Sequence, residues 1–322
     1  MPTLGILDMD PSPLMVVFWA SEMLVHVFGF VVSTVFLVTF FKFPLFHLNF
    51  RAIVADLTVC CFFTSVCRFA ILVGKIAELF PQDSEFGDWL QIFRDTGMYA
   101  AGFHLVLLSG ERAIATIKSR VYEKTRGLHW VILVVLFTWS ASFLIVLPTR
   151  RGNLTQYVAV GIIAGADSVA LVVMFCFFYA SNRMYHRVAS ESNAHSLSQR
   201  YQFSENVNSS RVLKRLLMFL AGASVIALLS FLGYVVCGNL TTPGRISGFI
   251  FDVTIASLTA FVPIIIIFGN PRLRTTTFDR ICPQTIRASN GNAAIPTDIN
   301  GNRLIVENET KVYFDQLRTS WK

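Results

Sequence analysis

Charge is scarce in this chain: Asp, Glu, Lys and Arg make up 15% of its 322 residues, whereas hydrophobic residues make up 54%. A soluble domain carries about a quarter charged residues and cannot bury so much apolar surface. The mean hydropathy of +0.57 points the same way. The shortage of charge argues against a soluble globular protein and predicts an integral membrane protein surrounded by lipid.

Sequence motifs of enzymes and metal sites are missing as well. The chain has no HExxH, GxSxG or GxGD motif, its six His are scattered at different depths, and its six Cys form no CxxC pair. A catalytic zinc needs about three converging ligands. We therefore predict no enzyme activity, no cofactor and no metal. Span 7, described below, contains no Lys, which excludes a retinal Schiff base.

Seven apolar runs are long enough to cross the hydrocarbon core, which takes about 20 residues in a helix. They cover about residues 14–41, 52–74, 90–112, 128–148, 156–181, 214–238 and 247–270. The sequence predicts an all-α membrane protein, a seven-transmembrane helix bundle over 14–270. We expect a short extracellular N-terminus over 1–13 and a cytoplasmic tail over 271–322, where a short amphipathic helix precedes a mobile segment.

Positive charge is unevenly divided between the two sides of these spans. With the N-terminus outside, the inner segments hold 21 of the 27 Lys and Arg and the outer segments hold four. Lys and Arg accumulate on the cytoplasmic side of membrane proteins. The excess of positive charge is therefore a topology signal, and we expect no nucleic-acid partner.

Two sequons, at Asn153 and Asn239, fall in outer loops and are glycosylation candidates. The polar segment 182–211 is predicted to be a mobile linker.

Ionisable side chains inside spans are costly and usually face a partner or a wet cavity. Arg68 lies near the outer end of span 2 and Asp95 near the outer end of span 3, so we predict an ion pair between them, either as a structural clamp or in contact with ligand. Glu22 and His26, spaced i,i+4 on span 1, are expected to satisfy each other.

An outer cavity lined by spans 3, 5, 6 and 7 is predicted from the remaining buried polar groups. Its candidate ligand-binding residues are Arg94, Asp95, His104, Asp167 and Asp252. Two alternatives stay open, since His104 is equally consistent with a satisfied interior histidine and Asp167 with polar packing between helices.

Glu111 and Arg112 end span 3 and begin a basic segment. An acid beside a base at a helix end can pair differently in two helix arrangements and so bias a switch. On its own, this pattern fits an interfacial Arg that snorkels to lipid phosphates equally well.

The motif that contains this pair reads ERxxATxxSxxYEK from Glu111 to Lys124. FHLNFR enters span 2 over Phe46–Arg51, and FGNPRLR leaves span 7 over Phe268–Arg274. Together these motifs resemble the nematode serpentine chemoreceptors, specifically the class alpha and alpha-beta (Sra and Srab-like) group, over about residues 14–285.

The resemblance implies a rhodopsin-like G-protein-coupled receptor in the plasma membrane of a chemosensory neuron, in its sensory cilia. Such a receptor binds a small molecule or peptide and activates a heterotrimeric G protein through inner loops 2 and 3. Glu111 and Arg112 would form the switch, and Tyr122 would touch the G protein.

Cysteine usage departs from many rhodopsin-like receptors, because the chain has no cysteine between Cys67 and Cys176 to tie span 3 to the second outer loop. A Cys67 to Cys237 disulfide is an alternative. Cys282, which follows three Arg in the tail, is a palmitoylation candidate.

A multi-span transporter, or a membrane protein that escorts other receptors without G-protein coupling, is the alternative function. A transporter would be expected to show repeated halves and broken helices near the midplane. The sequence shows neither feature.

Overall fold

The structure is a computed structural model, and it describes residues 13–42, 47–79, 84–117, 128–190, 197–238 and 241–281. Within these ranges the chain forms eight α-helices. They are α1 (Pro13–Lys42), α2 (Leu48–Ile76), α3 (Glu85–Ile117), α4 (Leu128–Arg150), α5 (Gln156–Ser190), α6 (Leu197–Cys237), α7 (Thr242–Gly269) and α8 (Pro271–Ile281). Each predicted span overlaps one of the first seven helices, and all secondary structure in the described ranges is helical.

Six of these helices are long and apolar enough to cross a membrane: the apolar parts of α1, α2, α4, α5, α6 and α7. Helices suit this environment because they satisfy every backbone hydrogen bond within one segment. α3 is not among the six, although its 33 residues would extend about 50 Å. Charged side chains along its length, including Arg94, Asp95, Glu111 and Arg112, lower its hydropathy.

The helices close into a ring in which α1 packs against both α2 and α7, α6 packs between α5 and α7, and α3 contacts α2, α4, α5 and α6. We call the end where α1, α3, α5 and α7 begin the upper end, and the opposite end the lower end. Because α3 contacts four other helices, its polar side chains face protein. The main apolar core joins several helices through residues such as Phe36, Phe50, Leu108, Leu216 and Ile266.

α2 and α3 approach closely at Gly97. A Cβ at this position would lie 2.5 Å from Thr64 Oγ1 and 3.2 Å from the carbonyl oxygen of Cys60. The Thr64 hydroxyl donates a hydrogen bond across the same contact to the carbonyl of Arg94. The missing side chain of Gly97 therefore sets the separation of α2 and α3 beside the charged residues of the upper end.

A proline in α7 creates a hydrogen bond between helices. Pro263 has no N–H, so the carbonyl of Thr259, four residues earlier, loses its helical donor. The Ser33 hydroxyl of α1 donates to this carbonyl at 2.5 Å. The Thr259 hydroxyl in turn donates to the carbonyl of Cys61 in α2 at 3.1 Å. Three helices are thus joined at the fully buried Thr259, whose carbonyl would otherwise lack a donor.

We expect Ser33→Ala to lower the free energy of unfolding by about 1–3 kcal/mol, because it leaves the buried Thr259 carbonyl without a donor. In a Pro263→Ala background the helix regains an N–H at that carbonyl, so the cost of Ser33→Ala should become smaller. Unfolding of the purified protein in mixed micelles measures both values.

The control for this cycle is Ser21→Ala, whose hydroxyl bonds only within α1, to the carbonyl of Phe18. It should cost less than Ser33→Ala and be insensitive to Pro263→Ala. Equal costs of Ser33→Ala in the two backgrounds would show that the proline does not create the need for this bond.

Two helices continue beyond the predicted spans. α5 reaches Ser190 and α6 begins at Leu197, so most of the segment 182–211, predicted to be a linker, is helical. The apolar part of α6 begins only at Arg211. A helix retains its backbone hydrogen bonds outside the hydrocarbon, so the end of an apolar run does not end the helix. α8 follows α7 at Asn270 and contacts α1 and α7.

Candidate functional site

Arg68 of α2 is held by carboxylates from two other helices at the upper end. Its Nε lies 2.7 Å from Glu22 Oε1 and its Nη2 3.2 Å from Glu22 Oε2, a bidentate contact with α1. The same Nη2 donates to Asp252 Oδ2 of α7 at 2.6 Å. His26 Nε2 lies 3.5 Å from Glu22 Oε1, but neither ring nitrogen of His26 makes a hydrogen bond among the described residues, so the two side chains do not satisfy each other as expected. All four side chains are buried.

A second part of this cluster centres on Asp95 of α3. Arg94 donates from Nε to Asp95 Oδ1 at 2.9 Å, and its Nη2 lies 2.8 Å from the same oxygen. Arg150 of α4 donates to Asp95 Oδ2 from Nε at 3.0 Å and from Nη2 at 2.6 Å, and its Nη1 donates to Gln91 Oε1 at 2.7 Å. Arg94 Nη1 lies 3.7 Å from Asp252 Oδ1, which connects the two parts.

The upper ionic network, as we call this cluster, balances three acids against three guanidinium groups. Its charged members are Glu22, Arg68, Arg94, Asp95, Arg150 and Asp252. Balance matters because an unpaired buried charge costs several kcal/mol. The predicted direct pair between Arg68 and Asp95 is replaced by an indirect link, since Asp252 and Arg94 stand between them. The network thus ties α1, α2, α3, α4 and α7 together.

A cavity of about 380 Å³ lies beside this network. Side chains of α2, α3, α4, α5, α6 and α7 line it, so two more helices contribute than the four predicted. Arg94, Asp95 and Arg150 lie in its wall, and so does Asp167. Most other lining residues are apolar, as is usual for cavities that bind small molecules, whose volumes are about 300–1,000 Å³.

Asp167 of α5 lies on a different part of the cavity wall. Ser224 of α6 donates to its Oδ2 at 3.1 Å, whereas Oδ1 has no hydrogen-bond partner among the described residues. Asp167 is only 9% exposed. Gly102 of α3 is next to it: a Cβ there would lie 3.9 Å from Asp167 Oδ1. The structure therefore brings Arg94, Asp95 and Asp167 to one cavity, as predicted.

Asp252 and His104 were predicted to line the cavity, but neither does. Asp252 belongs to the upper ionic network and borders a separate void of about 20 Å³ with Arg68 and Arg94. His104 is fully buried, and its Nε2 lies 2.6 Å from Asp56 Oδ2 of α2. Both side chains are turned toward α2, because a helical residue's direction depends on how its helix is rotated in the bundle.

The surroundings of His104 form a polar cluster with some features of a metal site. The donor atoms of Asp56, Cys60 and His104 lie within 4.8 Å of one another. However, His104 Nδ1 is 2.6 Å from the carbonyl of Ala100, and Trp139 Nε1 of α4 donates to Asp56 Oδ2 at 3.2 Å. These contacts already engage His104 Nδ1 and Asp56 Oδ2, whereas His104 Nε2 has no hydrogen bond among the described residues. We interpret the cluster as a polar link between α2, α3 and α4, as in the interior-histidine alternative.

Glu111 and Arg112 lie near the lower end of α3. Arg112 donates from Nη2 to Glu111 Oε1 at 2.7 Å and from Nε to Oε2. Its guanidinium carbon lies 4.5 Å from the centre of the Phe50 ring of α2, a cation–π contact. Arg112 is 4% exposed. A snorkelling arginine would extend toward lipid phosphates, so the observed burial favours a role inside the bundle. Tyr122 lies outside the described residues.

Candidate modification sites are only partly within the described ranges. Asn153 is exposed in the turn after α4, at the upper end. Asn239 and Cys282 lie outside the described residues. Cys67 is buried and Cys237 is exposed, and both are free thiols, so the alternative disulfide between them is not formed.

Sequence reasoning did not assign three residues to the site. Arg150 was counted as an outer-loop residue, although its position at the end of an apolar run could have indicated a role in the bundle. Ser224 and Phe50 carried no signal, since a serine or phenylalanine within an apolar span is common. Their roles depend on which residues of other helices lie opposite them.

The chain is similar to known receptors over most of its length. The model of the Sre G protein-coupled chemoreceptor family matches residues 86–322. Serpentine receptor class epsilon-13 of Caenorhabditis elegans is 23% identical over 284 residues, covering 78% of this chain and 76% of that protein. The predicted resemblance to nematode serpentine chemoreceptors is confirmed. The relative's class is epsilon, and the alpha or alpha-beta assignment is not confirmed, because three short motifs are too few positions to separate classes.

Proposed function

Because the chain belongs to the Sre family of G protein-coupled chemoreceptors, we propose that it binds a small molecule in the cavity and activates a heterotrimeric G protein through inner loops 2 and 3. The chain is a multi-pass membrane protein of a receptor family. The observation that carries the proposal is that one helix, α3, lines the cavity and carries the buried Glu111–Arg112 pair near its lower end. The cavity volume of about 380 Å³ favours a small molecule over a peptide.

The proposed topology has seven spans over 14–270, with α3 as the third, a short outer N-terminus over 1–13 and a cytoplasmic tail over 271–322. The charged groups of α3 support this because they are paired inside the bundle, so lipid does not have to solvate them. The upper end is then extracellular. Exposure of Asn153 at that end suits glycosylation, which a shift in electrophoretic mobility after glycosidase treatment tests.

The proposed location is the plasma membrane, in the sensory cilia of a chemosensory neuron. Membership of a chemoreceptor family supports it. The distribution of a fluorescently tagged full-length receptor tests it, and retention inside the cell body would count against it.

The proposed signal passes along α3 from the cavity to the lower end. From Gly102 to Arg112 is ten residues, or about 15 Å of helix, which is short enough for a rigid movement to reach both. A ligand that shifts α3 changes the surroundings of Arg112, whose bonds to Glu111 and contact with Phe50 then rearrange. Tyr122 and the following basic inner loop are proposed to touch the G protein.

We expect Arg112→Ala to reduce ligand-driven G-protein activation about 5- to 150-fold at equal surface expression, since a coupling free energy of about 1–3 kcal/mol is lost with the switch. Transfected cells with an agonist found by screening provide the measurement. Arg151→Ala, which removes an exposed guanidinium in the turn after α4, is the matched control and should signal normally.

Undiminished activation by the Arg112→Ala receptor would contradict the switch role. Uptake of the screened compound without any G-protein activation, in the wild-type receptor as well, would instead support the transporter alternative.

A further inference from the structure

The carboxylate of Asp167 has an unsatisfied acceptor in the cavity wall. Ser224 bonds Oδ2, but Oδ1 is buried without a hydrogen-bond partner among the described residues. Asp167 is 91% buried, being 9% exposed, within a wall that is mostly apolar. A buried carboxylate without a positive partner is expensive, and native structures keep few such groups without a functional reason.

The other charged groups of the cavity are already engaged. Arg94 and Arg150 both bind Asp95, and Arg150 also binds Gln91. Asp95 is seven residues before Gly102, which adjoins Asp167, so the two polar regions are about 10 Å apart along α3. The arginines are therefore committed to the upper ionic network, and no positive side chain among the described residues pairs with Asp167.

Space for a ligand group exists at the carboxylate. Asp167 and Gly102 both line the cavity of about 380 Å³, so the carboxylate borders open volume. Beyond this point the wall is apolar and includes Leu171, Leu220, Leu228 and Phe231. A polar anchor next to an apolar chamber suits a ligand with one charged end and one apolar end.

We propose that the ligand is a small organic cation, whose ammonium group donates a hydrogen bond to Asp167 Oδ1 while its apolar body lies along α5 and α6. This rests on the proposed function, since it names the ligand class of the same cavity. An ammonium N–H supplies both the missing donor and the missing positive charge, and a charge-assisted bond of this kind is about twice as strong as a neutral one. A neutral alcohol supplies a donor only.

Matched amines and alcohols test this proposal, with 2-phenylethylamine against 2-phenylethanol and hexylamine against hexanol. The readout is the melting temperature of the purified full-length receptor as a function of probe concentration. We expect the amines to raise the melting temperature and the alcohols to bind at least about tenfold more weakly. Asp167→Asn should weaken amine binding roughly 10- to 100-fold, as loss of a hydrogen bond to a charged group predicts.

Asp88→Asn is the control, because it makes the same change at an exposed position of α3. Without probe, Asp167→Asn should not lower the melting temperature, since it removes an uncompensated buried charge and keeps the side chain's shape. Asp167→Glu, which retains the charge, should retain a preference for amines. This variant separates a charge effect from a folding effect if Asp167→Asn is poorly expressed.

Three results would overturn the proposal: no binding by any amine, equal binding of amine and alcohol, or amine binding unaffected by Asp167→Asn. The proposed receptor function would survive each of them if a neutral compound activated the G protein through Arg112. The proposed receptor function would fail if no compound activated a G protein, whether or not an amine binds at Asp167.

Discussion

Arg68→Met is expected to destabilise the receptor by about 3–5 kcal/mol, since removing one partner of a buried ion pair leaves an uncompensated charge. Arg68 forms a bidentate contact with Glu22 and bonds Asp252. Without it, two buried carboxylates from α1 and α7 face each other near His26 and Arg94. The melting temperature of the purified receptor, and its abundance at the cell surface, should both fall sharply.

Charge compensation distinguishes this explanation from simple loss of packing. Arg68→Met combined with Glu22→Gln restores the balance of acids and bases, so we expect the double variant to recover part of the lost stability. Arg151→Met, at an exposed position, is the control and should change stability little. If Arg68→Met proved as harmless as this control, the upper ionic network would contribute nothing to the fold.

Arg68→Lys provides a finer comparison. The guanidinium uses Nε and Nη2 on Glu22 and Nη2 again on Asp252, whereas an ammonium is a compact point charge. The lysine variant should therefore fall between wild type and Arg68→Met in melting temperature.

Asp95→Asn is expected to lower the free energy of unfolding by about 3 kcal/mol, because it leaves buried positive charge without its acidic partner. Asp95 accepts bonds from Arg94 and Arg150, whose side chains are about one-tenth exposed, and both arginines lose their shared acid. Since all three residues line the cavity, the response to ligand should decline together with stability. Thermal unfolding and agonist dose–response curves measure the two effects.

A second substitution that removes one positive charge should restore part of the stability lost in Asp95→Asn. Asp95→Asn with Arg150→Gln returns the network to equal numbers of acids and bases and should be more stable than Asp95→Asn alone. Asp88→Asn, about two turns earlier at an exposed position of α3, is the matched control. A double variant less stable than Asp95→Asn would show that specific hydrogen bonds, rather than charge balance, hold this end together.

Sequence reasoning located the helices because apolar length is a local property. A run of about 20 apolar residues crosses a bilayer whatever its neighbours are. It also identified Arg94, Asp95 and Asp167 as cavity residues, because charge inside an apolar span has to face protein or water. The helical continuation between 182 and 211 was missed, since a polar helix outside the hydrocarbon has no apolar signal.

Partners within the site were harder to predict because they depend on the rotation of each helix. Arg68 was assigned to Asp95, but it binds Glu22 and Asp252. A clear apolar stripe would have shown the inward face of each helix, whereas spans such as α1 and α4 are apolar nearly all round. Without that stripe, the sequence shows how deep in the membrane a side chain lies, but it does not show which neighbouring helix the side chain faces.

By itself, the sequence determined that this is a helical membrane protein, where its long apolar helices lie, and that it resembles serpentine chemoreceptors. Composition, run length and short motifs carry those facts, and none of them requires a tertiary contact. Only the tertiary structure decided that six charged side chains from five helices form one balanced network, and that Asp167 is left without a positive partner. The physical reason is that pairing energy depends on distances of a few ångströms between atoms far apart in the chain, which helix packing alone sets.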